Sequence, residues 1–303
     1  MNRAAQSRRE FLSLSAASVA AACAPAFTLA QAPTALPLIT RAIPASGEKL
    51  PVIGIGTDAF SRGLSDDITA ELKRMTELGG AVIDTAAAYG DSEEIIGQAL
   101  ATLGTRDKMF IASKLVGSGG ADSFARSQQR LRIQRIDLLQ IHNLNGVPEL
   151  LPLMQQWKTA GKIRYIGVTT SRGSQHAELV GVMRSHPLDF IQVDYSLANR
   201  EAADAVLPLA LERKMAVLIN LPFGRSSVFQ QAAGRQLPPW AADIDVASWG
   251  QYFLKYVVSH PAVTCAIPGS TKLSHLIDNQ GAGRGRLPDA AMRRRMEEFW
   301  DKP

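Results

Sequence analysis

Short apolar runs rich in β-branched residues recur along the chain: Val52–Ile55, Ala81–Ile83, Met109–Ala112, Ile136–Ile141, Ile163–Val168, Phe190–Val193, Ala216–Ile219 and Val263–Ile267. Their nearly continuous hydrophobicity predicts strands covered on both faces, as in a parallel sheet. Between them, apolar positions repeat at helical spacing, predicting helices over 66–79, 92–103, 122–133, 148–160, 174–186, 200–213 and 246–259. Two more follow, over 272–279 and 288–299. Eight strand–helix units in one stretch predict a single-domain α/β fold, a closed (β/α)8 TIM barrel, over residues 33–303. Residues 33–48 read as a lead-in with a small hairpin closing the barrel floor. The longest loop, 222–245, carries Pro222, Gly224, Pro238 and Pro239 and follows the seventh strand. Loops at strand C-termini build the sites of such barrels, so this one is expected to cover the pocket.

The first 32 residues break this pattern. A basic start, an Ala/Ser-rich apolar middle and a small-residue exit at Ala30 or Ala32 form a secretory signal. The pair Arg8–Arg9, within Ser7-Arg8-Arg9-Glu10-Phe11-Leu12, resembles a twin-arginine signal, implying export by that machinery and a periplasmic destination. A permanent membrane span is not expected, because the run is weakly hydrophobic and Pro25 interrupts it. Cys23 is the candidate for a lipid anchor, but it lacks the usual Leu three residues earlier.

Composition narrows the class. Of 303 residues, 46% are hydrophobic and 20% charged, which fits a large packed core. Losing Arg3, Arg8, Arg9 and Glu10 with the signal takes the formal charge from +5 to +3, too little for a nucleic-acid partner. Cys265 is the one cysteine outside the signal, so no internal disulfide is expected. Arg293, Arg294 and Arg295 read as a solvated helix face, and His176, His186 and His260 as surface residues. Glu93 and Glu94 read as first-turn residues complementing a helix dipole. No His/Cys cluster has metal-ligand spacing and no Gly-x-Ser-x-Gly elbow is present.

Candidate chemistry gathers at the strand ends. Asp84 ends the second strand and Tyr89 follows five residues later; Lys114 ends the third strand and His142 the fourth. Together they suit proton donation to a carbonyl. Tyrosine titrates near pH 10, a neighbouring ammonium is expected to lower that value, and a carboxylate keeps the ammonium charged. A histidine can then orient the carbonyl oxygen.

These residues sit in segments that resemble the aldo-keto reductase family. They are Gly54-Ile55-Gly56-Thr57, Asp84-Thr85-Ala86 with Tyr89-Gly90 and Ser92-Glu93, Ser113-Lys114, Ile136–His142, Gly161–Val168 and Ile267-Pro268-Gly269-Ser270. The resemblance runs from about residue 43 to 280. It implies NAD(P)H-dependent reduction of an aldehyde or ketone, reversible, with NADP(H) preferred to NAD(H) and no Rossmann domain. By resemblance Tyr89 is the general acid, Lys114 tunes it, Asp84 pairs with Lys114, and His142 orients the substrate. Gly56 and Thr57 fall in the cofactor-binding segment, and Thr169, Thr170 and Gln192 match positions that hold the nicotinamide amide. Ser270 and Lys272 match phosphate contacts, and Asn279 an adenine contact. Three positions depart from the family: Thr169-Thr170 replace Ser-Asn, Asn220 stands where a Tyr commonly stacks on the nicotinamide, and His275 replaces an Arg at the 2′-phosphate. The alternative implied by those departures is an exported nicotinamide-binding sensor or accessory barrel with little turnover.

Overall fold

The computed structural model describes residues 36–302 apart from Ser118; the export segment read from residues 1–32 lies outside the described residues. An antiparallel hairpin of β1 (Thr40–Ala42) and β2 (Lys49–Pro51) precedes the barrel. The chain then alternates strand and helix. β3 (Ile55–Gly56), α1 (Ser65–Glu77), β4 (Val82–Asp84), α2 (Ser92–Leu103), β5 (Phe110–Leu115), α3 (Gly120–Leu131), β6 (Ile136–Ile141) and α4 (Val147–Thr159) form the first half. β7 (Ile163–Thr169), α5 (His176–Ser185), β8 (Phe190–Asp194), α6 (Val206–Glu212), β9 (Ala216–Asn220), α7 (Ser227–Gln231), α8 (Trp249–Ser259), β10 (Cys265–Ala266), α9 (Leu273–Ala282) and α10 (Ala290–Asp301) complete it.

Strands β3 to β10 pair in sequence order, all parallel. Single-residue parallel bridges from Ile53 to Ala266 and from Gly56 to Gly269 bring the first and last strands together. A side chain at Gly56 would meet the Ile267 carbonyl at 2.8 Å, so closure there requires glycine.

Two side-chain layers follow from the period of two along each strand. One set packs inside the barrel: Val82, Phe110, Ala112, Leu138, Tyr165, Phe190, Ala216, Leu218, Cys265 and Ile267. Ile43 and Leu50 of the hairpin join that set, which makes the hairpin the floor of the barrel. The opposite set, including Ile83, Ile111, Leu139, Ile141, Ile191 and Val217, packs under the helices. Above the apolar layers, the same inward register places Asp84, Lys114, Gln140, Gln192 and Asn220 at the C-terminal end, because each follows an inward residue by two.

Several helix limits differ from the sequence pattern for local reasons. The segment predicted over 200–213 forms a short 3-10 turn at Glu201–Ala203 and then α6 from Val206. Starting at Val206 keeps Pro208 in the first turn, where its missing N–H costs nothing. α8 begins at Trp249 because Ser248 caps it, accepting from the Gln251 N–H at 3.0 Å. Arg293 is not simply a solvated face residue. Its guanidinium lies 4.3 Å above the Tyr256 ring and donates to Tyr195 Oη at 2.8 Å and Ser259 Oγ at 2.6 Å. The expected surface histidines are likewise half-buried: His176 approaches Asp194 at 3.3 Å, and burial beside Arg293 and Arg41 pushes the His260 imidazole down to about 4. Glu93 sits in the first turn of α2 as expected, but it is buried and accepts from Ser113 Oγ at 2.7 Å.

Candidate active site

A cavity of about 440 Å³ opens at the C-terminal end of the barrel, a size suited to a small-molecule ligand. Asp84, Tyr89 and His142 line it, while Lys114 is buried behind them. Lys114 Nζ donates to Asp84 Oδ2 at 2.5 Å, to the Thr85 carbonyl at 2.9 Å and to Tyr89 Oη at 3.4 Å. The His142 ring meets the Tyr89 ring edge-on, with centroids 5.7 Å apart. All four residues named from the sequence therefore meet at one wall.

Hydroxyl groups hold that wall in place. Ser92 Oγ donates to Thr57 Oγ1 at 2.8 Å, and Thr57 Oγ1 donates to the Asp84 carbonyl at 2.9 Å. Thr85 Oγ1 lies 3.0 Å from Ser92 Oγ. The chain of hydroxyls ties the end of β4 to the start of α2, across the loop that carries Tyr89. Thr57 thus has a structural task even though it lines the cavity beside Gly56.

Burial sets the protonation states. It raises the Asp84 carboxyl, while Lys114 and the amides of Gln192 and Gln140 act in the opposite direction. For Lys114, burial alone favours the neutral amine, yet Asp84 and Tyr89 together hold it above the ordinary lysine value. The sequence expectation for Tyr89 is reversed: burial raises the phenol, and the Lys114 charge only partly opposes that rise. The phenol therefore stays protonated at neutral pH, the state a proton donor needs. His142 is pushed down to about 4, first by burial and then by the Lys114 charge, so it is a neutral imidazole at neutral pH. Accordingly, its ring resonances should not shift between pH 5 and 8, the range in which an ordinary histidine titrates, when followed by NMR. A mid-range titration of His142 would contradict this placement.

Of the residues assigned to the cofactor by resemblance, Gly56, Thr57, Thr169, Gln192 and Asn220 line the cavity. Thr170 does not: it is fully buried, and its hydroxyl donates to Gln175 Oε1 at 2.8 Å, which turns it away from the site. Ser270, Lys272, His275 and Asn279 lie on the turn after β10 and on α9, outside this cavity. Ser270 Oγ donates to the buried Glu71 at 3.0 Å. Of the long loop 222–245 the first residues reach the site: Pro222, Phe223, Arg225 and Ser226 line the cavity beside the preceding Leu221, and further along the loop forms α7 and a 3-10 turn at Pro239–Ile244.

Sequence reasoning missed Asn143 and Gln140. Asn143 lines the cavity in the left-handed region (φ 51°), which asparagine tolerates, and its N–H donates to Thr169 Oγ1 at 2.9 Å. Its position directly after His142 was the available signal. Gln140 has no such signal, since it reads as one polar residue in an apolar strand. Among the described residues no group of three or more potential metal ligands occurs, and no helix is long and apolar enough to cross a membrane.

A parallel eight-stranded barrel with Asp84, Lys114, Tyr89 and His142 gathered at its C-terminal rim is the setting in which the comparisons fall, and they define a class of oxidoreductase. The chain belongs to the aldo/keto reductase family, whose profile matches residues 52–300. Methylglyoxal reductase YeaE of Escherichia coli is 28% identical over 259 residues, covering 80% of this chain and 89% of that protein. Aldo-keto reductase YhdN of Bacillus subtilis is 33% identical over 190 residues, and this match spans only 56% of its length. An aldo-keto reductase of Klebsiella pneumoniae, solved in complex with NADPH, superposes with a TM-score of 0.75 at 23% identity, covering 88% of this chain and 97% of that one. At that identity the likeness concerns the fold.

Proposed function

We propose that the protein is an NADPH-dependent carbonyl reductase that converts a small aldehyde or ketone to the alcohol, reversibly, with Tyr89 as the general acid. The observation that carries this reading is the placement of Lys114 Nζ between Asp84 Oδ2 and Tyr89 Oη at the cavity wall. A binding protein has no need of a half-buried phenol set against a buried ammonium. The cavity also fits a nicotinamide. Asn220 Nδ2 donates to the Thr170 carbonyl, and among the described residues its buried Oδ1 has no partner, which leaves an acceptor for a carboxamide N–H. Gln192 and Thr169 supply further polar atoms on the same side.

Thr169, Gln192 and Asn220 would hold a reduced nicotinamide there, and the chemistry it would supply is the hydride for the carbonyl carbon. Neutral His142 donates a hydrogen bond to the carbonyl oxygen and so orients it beside Tyr89. As negative charge builds on that oxygen, Tyr89 Oη delivers its proton, and Lys114 stabilises the phenolate left behind. Asp84 keeps Lys114 charged and in place throughout.

The test is oxidation of NADPH and NADH by the mature chain with a panel of small aldehydes and ketones. Turnover with NADPH favoured is the expected result. Saturable nucleotide binding without turnover would instead support a sensor or accessory role.

The twin-arginine pattern supports a second element of the reading, export to the periplasm after folding with the nucleotide bound. Replacing Arg8 and Arg9 by lysine should leave unprocessed protein in the cytoplasm. Unchanged export of that variant would remove this element.

A further inference from the structure

We propose that Gln140 and Gln192 form a paired amide clamp on Asp84, positioning residues that keep the carboxylate ionised and thereby keep Lys114 charged beside Tyr89. This rests on the reductase reading for its catalytic consequence, though not for the clamp itself. Asp84 Oδ2 receives Lys114, while Oδ1 receives Gln192 Nε2 at 2.7 Å and Gln140 Nε2 at 3.4 Å. The shorter bond comes from the residue that also lines the cavity, so with one Nε2–H committed to Asp84, Gln192 keeps Oε1 and its second N–H for a ligand.

Gln140 is the more telling member. It is fully buried, and among the described residues its Oε1 has no partner and its side chain's one hydrogen bond goes to Asp84. A leucine or methionine would fill the same space without stranding a carbonyl oxygen, so packing alone does not account for an amide here. Room for it comes from Gly167 on β7, where a side chain would lie 3.1 Å from Gln140 Cγ.

The clamp matters because the pair it serves is buried, and a buried pair has two arrangements, ionised or neutral. In the neutral one, an Nζ–H bond of Lys114 breaks and an O–H bond forms on Asp84 Oδ2, with no change in total charge. Donors on Oδ1 favour the ionised form. Without them Tyr89 loses its ammonium neighbour. The other titratable groups around Asp84 and Tyr89 are His142 after β6, Asp58 after β3 and the buried Cys265 thiol on β10. None of them supplies a cation at neutral pH.

The experiment uses Gln140→Met and Gln192→Met in the full mature chain, each compared with its Asp84→Asn counterpart. Infrared spectra at neutral pH, without nucleotide, read the Asp84 carboxyl directly. The protein itself should show no protonated-carboxyl band that Asp84→Asn removes, and both methionine variants should gain one. In turnover, Gln140→Met should lower kcat about tenfold, equivalent to one unit in the effective acidity of the relay, with KM for carbonyl and nucleotide unchanged. Gln192→Met should also weaken nucleotide binding. A folded Gln140→Met with no new band overturns the proposal, as does the band in the unsubstituted protein. If methionine prevents folding, Gln140→Asn, whose shorter amide cannot span to Asp84, is read in the same way. Absence of turnover in the unsubstituted protein alongside the expected bands would sink the reductase reading and leave the clamp standing.

Discussion

Tyr89→Phe should lower kcat/KM for carbonyl reduction by roughly 10²- to 10⁴-fold, the span associated with loss of a positioned proton donor. The substitution removes one oxygen and little else. Tyr89 is half-buried, and among the described residues its hydroxyl makes a single long bond, 3.4 Å, to Lys114. The change in folding stability should therefore be small, about 1 kcal/mol or less. Nucleotide affinity should be retained, because the candidate carboxamide contacts come from Asn220, Gln192 and Thr169 on other strands. Steady-state kinetics, nucleotide titration and thermal unfolding on one preparation separate these effects. Retained turnover would show that another group delivers the proton, and His142, the other ring at this wall, would become the first suspect.

Lys114→Met should be the most damaging single substitution at the site. Lys114 and Asp84 are 1% and 3% exposed, so the carboxylate left behind has neither water nor a cation. Breaking a buried pair from one side costs about 3–5 kcal/mol, and turnover is lost with the ammonium. The stability deficit should depend on pH with a definite sign. Asp84 has its folded value raised by burial, so the native state holds the proton to higher pH than the unfolded chain does. Stability then falls as pH rises through that folded value, and the deficit shrinks towards the ordinary carboxylate range near pH 4. Adding Asp84→Asn should restore part of the stability at neutral pH, since an amide carbonyl still accepts from Gln192. It should restore none of the activity. Denaturant unfolding at several pH values checks both statements, and a pH-independent deficit would mean that the loss is one of packing.

The distribution of these effects reflects what a linear chain can encode locally. The inward set Phe110, Ala112 and Lys114 is legible because side chains alternate along a strand, whatever the rest of the protein does. The same rule, applied to eight apolar runs with helical spacing between them, specifies the barrel and puts Asp84, Lys114 and His142 at one end of it. Local chemistry also forecast the hairpin at the floor, although its limits, Thr40–Ala42 and Lys49–Pro51, came from pairing.

What the sequence could not determine depends on atoms brought together from distant positions. Gln140 and Gln192 reach Asp84 across 56 and 108 residues, so neither looks unusual within its own strand. Thr170 turns from the cavity because Gln175 captures its hydroxyl, and His260 is half-buried with its ring edge-on to Tyr195, 65 residues away in the chain. The direction of the Tyr89 shift lies beyond the sequence for the same reason. A neighbouring ammonium can be read from motif spacing, but desolvation is a property of the packed surroundings. The sequence by itself determined which candidate groups gather and at which end of the barrel. Only the tertiary structure decided their protonation states, because burial and long-range hydrogen bonds exist once the barrel has closed.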